Sequence, residues 1–130
     1  MPPPMRLYAL RGATTVTEND GDAILAATDE LMRAILDRNA LAPENLVSCI
    51  FTLTEDLDAE FPAVAARRMG LSAVPLLCAR EVPVPGALPR VIRVLIHCYG
   101  EPGHEAQHVY LGEAAALRLD LTGAQYAQAG

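Results

Sequence analysis

Two rhythms of apolar and polar residues divide this chain. Between Asn19 and Asn39, the positions Leu25, Thr28, Leu31, Met32, Ile35 and Leu36 recur at the interval of one helix face. Asn19 can cap this helix, with Asp22 three residues on. Arg33 and Arg38 lie towards its end, where the helix dipole favours cations. Elsewhere the apolar residues come in short runs that predict strands. The first opens with Leu7, Tyr8, Ala9 and Leu10 and is expected to end near Arg11 or Gly12. The second spans Val47–Leu53 and is apolar on both faces. "AVPLLCAREV" and "VIRVLIHCYG" predict a third and a fourth strand, separated by the proline-stiffened loop "PVPGALPR". A short helix is expected in "DAEFPAVAARRMGL", with Pro62 in its first turn and Gly70 at its stop. "EPGHEAQ" then turns the chain into "HVYL" and a helical turn at "GEAAALRL".

The order strand–helix–strand–helix–strand–strand, with doubly apolar central strands, argues for an α/β (α+β) fold. A mixed β-sheet would carry its helices on one face. The other face then needs a cover, and self-association is the economical one, so an oligomer is expected. The 130 residues suit a single domain. It is expected over residues 5–121, after an extended, proline-rich tail at 1–4 and before a mobile tail at 122–130.

Composition narrows the partners. Apolar residues make up 52% of the chain, enough for a core without disulfides or a metal. The net charge of −6 argues against nucleic acid, because phosphate binding needs a basic face. No apolar run approaches the ~20 residues that span a bilayer. The start lacks the basic-then-apolar order of a signal peptide. Membranes are therefore not expected as partners, and the cytoplasm is the expected location. Cys49, Cys78 and Cys98 are odd in number, widely spaced and without a CxxC pair, which reads as reduced thiols. His97, His104 and His108 are not paired on a helix face and have no cysteine pair nearby, so no metal site is expected.

Three charges depart from the pattern of solvated helix faces and turns. Arg93 shares a strand face with Val91 and Leu95, while Ile92, Val94 and Ile96 fill the other. Arg11 closes the first strand, just before a glycine that lets backbone approach something. Glu81 ends the third strand after Leu76, Leu77 and Cys78. Two readings stand side by side. Glu81 and Arg93 can be a structural cross-strand ion pair, with Arg11 at a solvated strand end. Alternatively, the three form an anion pocket in which surplus guanidinium awaits a carboxylate or phosphate.

Other chemistries lack a signature. Ser48 and Ser72 have no partnered His and Asp, and no G-x-S-x-G occurs. Cys78 reads as a small core residue rather than a nucleophile. Gly12 belongs to "RGAT", not to a phosphate-binding glycine motif. His97 reads as a hydrogen-bonded core histidine, and Tyr110 as half-buried packing.

Five segments in one order carry a resemblance: "LRGATTV", "FPAVAAR" at Phe61–Arg67, "VPLLCAREV" at Val74–Val82, "IRVLIH" at Ile92–His97 and "HVYLGEAAALRLDL" at His108–Leu121. Together they resemble the AroH-class chorismate mutases over about residues 5–121. The resemblance implies a homotrimer with a pseudo-α/β-barrel core and three active sites in the clefts between subunits. The implied reaction is the Claisen rearrangement of chorismate to prephenate, on the route to phenylalanine and tyrosine, with no cofactor, metal or covalent intermediate.

The roles it implies are specific. Arg93 would donate to the ether oxygen of the breaking bond, and Glu81 would accept from the substrate hydroxyl, with Cys78 close by. Arg11 and Tyr110 would hold a carboxylate. Arg67 would assist at the cleft mouth, and Arg118 would help close the site. Phe61, Ala63, Leu76 and Leu117 would supply apolar walls. Two positions depart from the family pattern: Val64, where a lysine is frequent, and Leu77, in place of a small polar residue. The competing readings are an enamine/imine deaminase of the YjgF type, which also holds a carboxylate with an intersubunit arginine, and a non-catalytic anion-binding trimer.

Overall fold

A computed structural model of the chain describes residues 4–117. Strand β1 (Arg6–Thr15) is followed by helix α1 (Gly21–Arg38), strand β2 (Leu46–Leu53), helix α2 (Pro62–Arg68) and strands β3 (Leu76–Arg80), β4 (Val91–Gly100) and β5 (Val109–Tyr110). Short 3-10 turns lie at Pro43–Asn45 and Gly112–Ala114. The tail expected at 122–130, most of that at 1–4, and Arg118 lie outside the described residues.

The sheet runs β3-β2-β4-β1-β5. Central β4 is antiparallel to β1 and β2, while β3 lies parallel to β2 and β5 parallel to β1. This is the mixed sheet the patterning predicts. Alternation on β4 also holds: Ile92, Val94, Ile96 and Cys98 are buried, and Arg93, Leu95 and His97 are half-open. Leu31, Met32 and Ile35 of α1 and Ala63 and Ala66 of α2 pack with Leu10, Phe51, Val94 and Ile96 in the main core. Both helices therefore lie on one face, and the other face stays open.

Three details differ from the sequence reading. Asp20, not Asn19, caps α1, accepting from the Ala23 amide at 3.0 Å. Asn19 is committed elsewhere: it donates to Asp58 Oδ1 at 2.7 Å and accepts from the Asp58 and Ala59 amides. Ile24 rather than Leu25 heads the buried stripe of α1. Finally, β1 does not stop near Gly12 but continues to Thr15. What approaches Gly12 is α1, since a Cβ there would sit 2.5 Å from Ile35 Cδ1 and 3.2 Å from Leu31 Cδ1. The glycine serves helix packing while the strand passes through it.

Candidate active site

The register of the sheet lines up one row of side chains on the open face. Ala79 of β3 faces Thr52 of β2, Thr52 faces Arg93 of β4, Arg93 faces Ala13 of β1, and Ala13 faces Tyr110 of β5. Directly opposed residues point the same way, and diagonal neighbours about 7–8 Å apart remain within reach of long side chains. Arg11, paired with Leu95, is such a diagonal neighbour of Arg93. Ala13, as small as Ala79, leaves room between Arg93 and Tyr110. The result is a cavity of about 440 Å³ lined by Arg11, Ala13, Thr52, Glu81, Arg93 and Tyr110 together with Ile50, Leu95 and Leu117.

Glu81 leaves β3 but stays in the ladder through its amide, which donates to the Leu53 carbonyl at 2.9 Å. Its side chain crosses above Thr52 to Arg93. Arg93 Nε donates to Glu81 Oε1 at 3.0 Å, and the Thr52 hydroxyl donates to Glu81 Oε2. The ion pair of the first reading is thus present, but it is side-on. Only Nε of Arg93 is used, and its terminal nitrogens have no partner among the described residues. The side chains of Arg93 and Glu81 are 42% and 18% exposed, so the pair remains in contact with solvent and contributes little to stability. With Arg11, the cavity lining holds two cations and one anion among the described residues. The pair of the first reading is therefore present and a surplus positive charge lines the cavity, but Arg11 lies within β1, which runs to Thr15, and not at a strand end.

Local structure fixes each element of the row. The start of β4 is clamped two residues before Arg93. There the Val91 amide donates to Thr54 Oγ1 at 3.0 Å, and the Thr54 hydroxyl donates to Asp56 Oδ1 at 2.5 Å. Asp56 also accepts from the Arg90 amide at 3.0 and 3.2 Å. Arg90 has a φ of 52°, a conformation costing about 1–3 kcal/mol that the clamp maintains. At the other edge, the Leu111 amide donates to the Ala13 carbonyl, seating Tyr110 beside β1. The connector to β5 is tied to the end of α1 by buried Asn39. Its Nδ2 donates to the Ile35 and Gln107 carbonyls, and its Oδ1 accepts from the Gln107 amide. The Arg11 amide donates to His108 Nδ1 at 3.0 Å, fixing the approach to the edge strand.

Other residues singled out in the sequence lie apart from this cavity. Leu76 and Cys78 point to the helix face and pack against the main core, where Ala63 is buried. Phe61 is 65% exposed at the start of α2, and Arg67 is exposed on that helix. Phe61 and Cys78 line a second concavity of about 450 Å³ with Leu53, Leu57 and Arg80. Sequence reasoning missed Thr52, Ala13 and Ile50. Thr52 had a usable signal, as a polar residue in an otherwise apolar strand, whereas Ala13 becomes visible only through the register. Among the described residues, no group of three or more His, Cys, Asp or Glu side chains is placed to hold a metal ion.

The sequence model of the family described as chorismate mutase type I matches residues 7–121. The chain belongs to the type I chorismate mutase family. Among relatives of this mutase, a chorismate mutase of Thermus thermophilus is 53% identical over 118 residues, covering 89% of this chain and 97% of the relative. One of Bacillus subtilis is 38% identical over 120 residues, with 91% and 94% covered. A solved chorismate mutase structure from Clostridium thermocellum matches with a TM-score of 0.81 at 44% identity, covering 84% of this chain and 98% of that one. These relatives support the mutase reading and lend none to the deaminase alternative.

Proposed function

We infer that this chain converts chorismate to prephenate. One observation carries the reading: Arg93 stands in the cavity with its terminal guanidinium nitrogens unpartnered among the described residues while Nε is held by Glu81. In the rearrangement the ether C–O bond breaks as a new C–C bond forms, and the ether oxygen becomes a carbonyl. No atom is gained or lost. Negative charge grows on that oxygen in the transition state, and a guanidinium already in place stabilises it without reorganisation. The substrate is a flexible dianion that must be held in a compact conformer before the bond can form. Arg11 and Tyr110 supply a cation and a hydroxyl for a carboxylate, and Glu81 is the acceptor for the substrate hydroxyl. Ile50, Leu95 and Leu117 provide apolar walls that help exclude water.

The working unit we propose is a homotrimer with each site in a cleft between subunits. Two features support it. Leu7, Leu77 and Tyr99 are exposed on the open face of the sheet, alongside Leu95 and Ile50. The proposed wall residue Phe61, with Cys78, sits at a concavity separate from the Arg93 cavity, so a neighbouring chain is needed to bring the two halves together. Arg67 and Arg118 belong to this proposed closure of the cleft. Three free thiols suit a reducing compartment such as the cytoplasm. The test is loss of chorismate absorbance with purified protein and no added metal or cofactor. Decay well above the buffer rate is expected, and decay at the buffer rate with ample protein refutes the reading. Light scattering is expected to give three times the chain mass.

A further inference from the structure

We propose that Thr52 is a positioning residue that keeps the Arg93–Glu81 pair side-on, and so leaves the Arg93 terminal nitrogens to the substrate. An arginine and a carboxylate left to themselves tend to pair fork to fork, using two N–H donors and both oxygens. Here a second donor turns the carboxylate away from that arrangement. Oε1 of Glu81 takes Arg93 Nε at 3.0 Å, while Oε2 is occupied by the Thr52 hydroxyl. Thr52 can do this because it sits directly between the two partners, facing Arg93 on β4 and Ala79 on β3, two residues before Glu81. Its χ1 is stiff, as for any β-branched residue, and it is half-buried in the strand, so the hydroxyl is a fixed donor. Without it, Glu81 lies beyond the end of β3 on three rotatable bonds and is free to swing both oxygens onto Arg93. The pair would grow tighter as an ion pair and poorer as a catalyst, because a terminal nitrogen would be withdrawn from the cavity.

The inference rests on the proposed mutase reaction for its rate effect, but its geometric content is independent of that reaction. Thr52→Val removes the hydroxyl and keeps the shape. Its kcat is expected to fall about tenfold, the effect of one hydrogen bond to a charged group. KM should change less than kcat, because the lost alignment matters most as charge develops on the ether oxygen. Thr52→Ser, which restores the donor, should recover the rate to within about threefold of wild type. In a Glu81→Ala background, Thr52→Val should cost less than about twofold more, since Thr52 acts through Glu81. A crystal structure of Thr52→Val should show both Glu81 oxygens on Arg93. Unchanged kcat in Thr52→Val, additive losses in the double variant, or a pair still side-on in the crystal each overturn the proposal. If wild-type protein does not turn over chorismate, the functional reading fails, and the crystal comparison alone decides the role of Thr52.

Discussion

Replacing Arg93 by methionine separates a structural from a catalytic role, because the two roles predict effects of different size on different observables. Methionine keeps most of the aliphatic stem, so the packing between Thr52 and Ala13 is largely retained. What is lost is the guanidinium. The pair it makes with Glu81 is 3.0 Å long but partly solvated, with 42% of the Arg93 side chain exposed. Pairs of that kind contribute no more than about 1 kcal/mol, so the denaturation midpoint should shift little. Loss of a preorganised donor at the developing negative charge costs about 2.7–4 kcal/mol, or 10²–10³ in kcat. The expected result is a folded protein of unchanged assembly with a rate at least a hundredfold lower. Urea denaturation at fixed protein concentration and the decay of chorismate absorbance measure the two on the same preparation. A methionine variant within fivefold of the wild-type rate refutes the reasoning. So does one whose loss of activity merely tracks a loss of folded protein.

Ala13→Leu should crowd the space between Arg93 and Tyr110 and lower kcat/KM by roughly a hundredfold, and because Ala13 is buried it should also cost about 1–3 kcal/mol in urea denaturation; initial rates well below KM test the first and urea midpoints the second. Asp20→Ala removes the N-cap of α1 and should cost about 1 kcal/mol in urea denaturation with kcat unchanged, because Asp20 is not among the residues that line the cavity. Burial, with a smaller contribution from nearby Cys98, pushes the Cys49 thiol from 9.0 up to about 12, and burial also raises Cys98. Unfolding between those values releases protons that the folded state retains, so stability should fall as pH rises from 9 towards 12. Urea midpoints across that range should fall less steeply in Cys49→Ala, and an equal slope refutes the assignment.

The alternation on β4 was legible, and with it the placement of Arg93 on the face opposite Ile92, Val94 and Ile96. The helix stripe of α1 was legible to within one residue, Ile24 for Leu25. Caps were harder: Asn19 and Asp20 are equally good by type, and only the distant loop at Asp58 and Ala59 decides between them. Gly12 misled because a glycine inside a strand looks like a strand end, whereas here it makes room for Ile35 of a helix. The relation of Arg93 to Glu81 stayed open in the sequence for a geometric reason. They are two strands apart, and the strand between them supplies the residue that sets their orientation. Strand register depends on pairings across 40 to 100 residues, so Thr52 and Ala13 could not be assigned to the site by spacing. The roles of Arg11 and Tyr110 came from the resemblance, not from pattern.

The row across the sheet also has a kinetic consequence. Its members are residues 13, 52, 79, 93 and 110, so nothing resembling the site exists in any continuous fragment. The last link, Ala13 to Tyr110, joins the first strand to a two-residue strand near the far end of the described chain. Contacts of such high sequence separation close slowly, long after a helix such as α1 can form. During refolding, helical circular dichroism should therefore recover first and enzymatic activity last, making turnover a reporter of the moment β5 docks on β1.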